Sequence, residues 1–147
     1  MRNSSRSRYA VAALVDLTLS KTTRPVALAE IAQRQSVSVS YLEQVFALLR
    51  QNCFVKSVRG PGGGYLLARS SDDIRVSDIF TAFASSKTVG GESDESDGNR
   101  AGATVFGLWS ALDRESIRFL STITIKDVAD GNLSATKIGA KVVAQAA

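Results

Sequence analysis

The chain has 147 residues, enough for one ordinary domain with an appended element and a buried core of its own. One cysteine and no histidine exclude an internal disulfide framework and the usual zinc ligand sets. The net charge of +4 is uneven: residues 1–70 hold ten Lys/Arg against three Asp/Glu, and residues 71–147 hold eight against eleven, giving +7 and −3. A basic first half suits a polyanionic partner, whose condensed counterions are released on binding, although a merely soluble basic surface has the same composition. No apolar run approaches the roughly 20 residues of a membrane span, and the first eight residues are polar and basic rather than signal-like, so the cytoplasm is expected.

The first predicted element is a helix over residues 8–20, RYAVAALVDLTLS, apolar nearly all round, which belongs at the centre of a fold. KTTRP breaks it, and the residue before Pro25 is pushed out of the helical region. Leu28, Ile31 and Ala32 then recur at helical spacing, predicting a helix of about two turns for which Ala27 is a poor N-cap. After the short link QSVS comes a helix over 39–51, with Leu42, Val45, Phe46 and Leu49 in one apolar stripe. Ser38 can cap it, and Ser40 with Glu43 is an alternative capping box. Its other face is small and polar: Ser40, Glu43, Gln44, Ala47, Arg50 and Gln51. Short helix, tight link and longer helix make the order of a helix-turn-helix, whose second helix needs such a face to approach base edges. An amphipathic core helix with a solvated face would read the same.

CFVKSV (53–58) and YLLAR (65–69) predict two strands around the glycine-rich tip of a β-hairpin, which directly after a recognition helix forms a wing. Val76, Ile79, Phe80 and Phe83 predict a closing helix over 76–84. Residues 85–102 then hold four carboxylates, four glycines and a single sizeable apolar residue, which reads as a flexible acidic loop. From residue 103, Val105, Trp109, Leu112, Ser116, Phe119 and Ile123 alternate steps of four and three, a narrow seam like that of a coiled coil. We expect this seam to be a dimer interface, the alternative being a helix folded back on its own core. Thr124 is placed to cap a short helix around 125–131, and residues 132–147 form a tail with weak apolar signals.

The stretches RYAVAALVDL, SVSYLEQVFALLR, VRGPGGGYLLAR, LW and FLSTITIKDV, together covering residues 1 to about 130, resemble the Rrf-type family of bacterial winged-helix transcriptional regulators. The likeness is greatest to its IscR-like branch. It implies a mainly α fold with a small β-hairpin: a winged helix-turn-helix over 1–84, the acidic loop, and a dimerisation helix with its short follower over 103–131. The implied function is sequence-specific binding of palindromic double-stranded DNA as a homodimer, as a repressor linked to iron, iron–sulfur or redox status. By the same resemblance Ser38, Ser40, Tyr41, Glu43 and Gln44 face the major groove. Arg59, beside Gly60, enters the minor groove, and Arg2, Ser4, Ser5, Arg8, Arg50 and Ser57 contact the backbone. The chemistry agrees, since Gln44 can pair with adenine, Glu43 can accept from cytosine, and an arginine suits a narrow minor groove.

The sensing elements depart from the resemblance. Cluster-binding members carry three cysteines before LW and, in the IscR-like branch, a histidine. Here the stretch is GGESDESDGNRAGATVFG, with Phe106 at the histidine position. Glu92, Asp94, Glu95 and Asp97 are hard oxygen donors, poorly matched to an iron–sulfur cluster. No cofactor is expected, leaving regulation by a protein partner or small molecule. Cys53, where relatives commonly have glycine, is expected as a small buried hydrophobe, with atypical cluster ligation as the minority alternative. An enzyme using the glycine loop for nucleotide phosphates is a second class, but a Walker loop ends in Gly-Lys-Ser/Thr, whereas Tyr65 follows Gly64; a third, a regulator acting only as a protein partner without DNA binding, is opposed by the intact polar face of residues 40–51.

Overall fold

The computed structural model describes residues 5–21, 23–86 and 100–133. The first helix, α1, runs Ser5–Leu19, three residues earlier than its apolar pattern begins. Ala10, Ala13, Leu14 and Leu17 form its buried face, and the two alanines let neighbouring helices approach closely. α1 packs against α2 (Leu28–Gln35), α3 (Val39–Gln51), α4 (Val76–Ser85) and α6 (Ile125–Ala129), so it is the central helix expected from its composition. Arg34 of α2 binds Asp16 of α1 through Nε at 2.9 Å, clamping the two helices. The hydrogen bond to Asp16 raises the Arg34 pKa.

Two helix ends shape the helix-turn-helix. α2 ends on Ser36, left-handed at φ 54°, with Ser36 N–H bonded to Gln33 O and Val37 N–H to Ala32 O. This turns the chain sharply and leaves three residues before α3. Ser38 Oγ then accepts from Tyr41 N at 3.2 Å, so Ser38 rather than Ser40 is the N-cap of α3. At the far end Cys53 N–H bonds to Arg50 O and Phe54 N–H to Leu49 O, with Cys53 at φ 57°. That is a Schellman closure with Cys53 in the left-handed position usually filled by glycine. Cys53 is exposed, which corrects the expectation of a buried hydrophobe: the left-handed turn holds it outside while Phe54 enters the core.

The hairpin is shorter than the apolar runs suggest, with β1 over Val55–Val58 and β2 over Gly64–Leu67 paired antiparallel from Val55↔Leu67 to Val58↔Gly64. Tyr65 also bridges to Val26, exchanging two backbone hydrogen bonds of 2.9 and 3.0 Å, an anchor the sequence pattern did not reveal. Gly64 makes this possible, because a Cβ there would lie 2.2 Å from the Val26 carbonyl oxygen. The Tyr65 ring meets Phe46 at 4.6 Å and ties the wing to α3.

α5 runs Arg100–Leu120 and packs mainly on α4. The helix stops before Ile123, which is 5% exposed and whose carbonyl accepts from Val76 N–H at 2.9 Å. Ile123 therefore lies in the core beyond the end of α5 rather than in a continuous helical seam. Ile125 N–H binds Ile74 O, and Thr124 closes a full capping box with Asp127 at the start of α6. Most of the acidic loop, residues 87–99, and the tail from 134 lie outside the described residues, as do Arg2 and Ser4.

Candidate nucleic-acid interface

On α3, Leu42, Val45, Phe46 and Leu49 are completely buried, while Ser40, Glu43, Gln44, Ala47, Arg50 and Gln51 are exposed. The 3.6-residue period thus leaves one face packed and the opposite face open to a partner. Tyr41 sits between them, half-buried. Its hydroxyl donates to Ser5 Oγ at 3.4 Å, and its ring meets Tyr9 edge-on at 5.4 Å. Tyr41 thereby joins α3 to the first turn of α1 as well as bordering the outer face. Ser38 is exposed, and with its oxygen accepting the cap bond its hydroxyl hydrogen stays free to donate.

Arg6 was not among the residues singled out from the sequence. Its Nη2 donates to Gln44 Oε1 at 3.0 Å, which places a cation on the open face of α3. The signal was the basic run at the start of the chain, but nothing in that run says which arginine turns toward α3. Arg8, two residues on, turns elsewhere: it borders an apolar groove of about 420 Å³ with Val11, Phe80, Phe119 and Leu120 among its walls. Ser57 and Arg59 are exposed on the hairpin, and Arg59 has no partner among the described residues. Gly60, at φ 99° with open space around it, gives the tip its turn.

The described part of α5 exposes a run of large apolar side chains. Val105, Trp109 and Leu112 are 47, 53 and 48% exposed, and Phe106 and Leu108 stand out further. Phe119, expected in the same seam, instead packs half-buried against the core. The proposed dimer residues are therefore divided, with three on an open face and two turned inward.

Comparison with known proteins settles the family. A family model described as "Rrf2: Iron-dependent Transcriptional regulator" matches residues 3–131. The chain belongs to the Rrf2 family. It is 41% identical over 131 residues to the HTH-type transcriptional regulator IscR of Klebsiella pneumoniae, covering 87% of this chain and 79% of that protein. IscR of Sodalis glossinidius is 44% identical over 131 residues, with 87 and 78% coverage. Among solved structures, T. potens IscR superposes with a TM-score of 0.70 at 33% identity, covering 90% of this chain and 88% of that one. CymR, described as the global cysteine regulator of B. subtilis, superposes at 0.67 with 30% identity, covering 88 and 97%.

This Rrf2 protein is an IscR-like winged-helix transcriptional regulator, and the relatives are regulators rather than enzymes, so the nucleotide-loop alternative falls. An iron–sulfur cluster does not fit its donor set. Such clusters take four ligands, Cys or in some cases His. This chain has one cysteine, exposed at the end of α3, and no histidine. Among the described residues no three His, Cys, Asp or Glu side chains converge on one point.

Proposed function

We propose that this IscR-like regulator binds palindromic duplex DNA as a cytoplasmic homodimer and represses transcription. α3 lies in the major groove, with Ser38, Ser40, Tyr41, Glu43 and Gln44 toward the bases. Arg59, on the wing, enters the adjacent minor groove, and Ser5, Arg50 and Ser57 serve the phosphates, as would Arg2 and Ser4 at the start of the chain. The observation that carries the reading is the division of α3, whose inner stripe is fully buried while its polar outer face meets, among the described residues, Arg6 and the α1 turn. A helix held this firmly with an open, small and polar face is built to enter a groove. The test is fluorescence anisotropy with palindromic duplexes selected from a random library. Specific binding should weaken steeply with salt, because each neutralised phosphate releases about one counterion. Equal affinity for selected and scrambled duplexes would overturn the reading.

The signal reaches this regulator by a route other than a three-cysteine cluster, through a protein partner or a small molecule. Protein purified anaerobically from iron-replete cells is expected to show no visible charge-transfer band. A band that disappears in Cys53→Ser would instead establish cluster ligation by the thiol.

A further inference from the structure

The outer face of α3 has a centre, and the buried stripe locates it. Ala47 stands two positions from Val45 and two from Leu49, both fully buried. Each step of two turns roughly 200° around the helix, so the Ala47 methyl points away from the core. Ser40, seven positions earlier, lies on the same line. One turn before Ala47 come Glu43 and Gln44, and one turn after it Arg50 and Gln51, all exposed. Arg6 donates to Gln44 Oε1 at 3.0 Å and ties that side chain to the flank of α3 where Tyr41 meets α1. Ala47 is therefore a short apolar floor ringed by long polar side chains. Val39 is also exposed, but it falls seven positions before Phe46 and so on the side of the buried stripe. A base edge that reaches such a floor has to project and has to be apolar, since a polar atom pressed on the methyl loses its hydration without gaining a partner. In the major groove one group meets both conditions, the C5 methyl of thymine.

We propose that Ala47 is a specificity-determining residue, whose methyl reads the C5 methyl of one thymine in each half of the DNA site. This rests on the DNA-binding reading above and adds the identity of one base to it. The experiment takes the duplex that the wild-type protein selects from a random library and replaces its thymines one at a time by deoxyuridine. Uracil keeps every hydrogen-bonding group of thymine and lacks only the methyl. At one thymine per half-site the replacement should lower affinity roughly fourfold, the worth of about one buried methyl. In Ala47→Gly the same replacement should change nothing. Glycine weakens a helix interior, but each ratio compares two duplexes on the same protein, so lost stability cancels. Ala47 is exposed, and circular dichroism should show Ala47→Gly folded at the assay temperature. If Ala47→Gly discriminates thymine from uracil as strongly as the wild-type protein does, the methyl is read by another side chain and the proposal is overturned. A wild-type protein indifferent to uracil at every position would overturn it as well. Failure of the wild-type protein to select any sequence is a different result, which removes the DNA-binding reading itself.

Discussion

Cys53 occupies a left-handed conformation that disfavours an L-residue by roughly 1–2 kcal/mol, and nothing in the core depends on its thiol. Cys53→Gly relieves that strain and returns part of the gain as unfolded-chain entropy, about 0.5–1 kcal/mol. Urea denaturation should therefore show stability raised by up to about 1 kcal/mol, with DNA affinity unchanged; a clear loss would reveal a packing role for the sulfur. Gly64 is the opposite case. Its backbone lies against Val26, and Gly64→Ala should cost on the order of 3 kcal/mol while loosening the wing from the Val26 bridge. Arg59 is exposed on that wing and has no partner among the described residues. Arg59→Ala should leave the thermal midpoint in place and lower the slope of log affinity against log salt by about one. An unchanged affinity and slope would remove Arg59 from the interface.

At the scale of the element, α3 joins stability to recognition through Ser38. Its oxygen caps the helix, and its exposed position points toward the proposed groove. Ser38→Ala should destabilise the fold by about 1 kcal/mol, the usual loss for a missing N-cap. Ser38→Asp keeps a capping oxygen but sets a negative charge against DNA, so thermal unfolding should stay near wild type while DNA affinity drops at least tenfold. Equal DNA binding by Ser38→Asp and the wild-type protein would separate the cap from the interface. The limits of α3 were readable in the sequence and its cap was narrowed to Ser38 or Ser40, since apolar period and capping chemistry are local; the structure chose Ser38. The Val26–Tyr65 bridge was not readable, because it joins residues 39 positions apart through backbone atoms that carry no sequence signal.

At the scale of the molecule, α5 leaves Trp109 and its apolar neighbours half-exposed, which a soluble monomer rarely tolerates over a contiguous face. Two protomers joined there would bring two recognition helices to the two halves of a palindrome. Trp109→Glu should give a monomer in sedimentation velocity, keep the winged helix folded, and weaken binding to a full palindrome far more than to a half-site. Trp109 is the only tryptophan, so its emission should also shift red as the wild-type protein is diluted through dissociation. A wild-type monomer at tens of micromolar would end this assembly.

Local rules determined much of this protein from the residues alone: the helix over 39–51, a cap at Ser38 or Ser40, and the glycine tip between two strands. Each follows from side-chain chemistry within a few positions in the chain. Tertiary structure decided what those rules leave open. Ile123 follows the heptad spacing yet belongs to the core, because the backbone of Val76 captures its carbonyl after the helix has ended. Cys53 follows an apolar run yet lies outside, because a left-handed turn intervenes. Arg6 and Arg8 are nearly identical in sequence context, and only the packing of α1 against α3 sends one to Gln44 and the other to an apolar groove. The direction of a side chain is set by the helix it stands on and by what that helix packs against, and the second of these is not written locally.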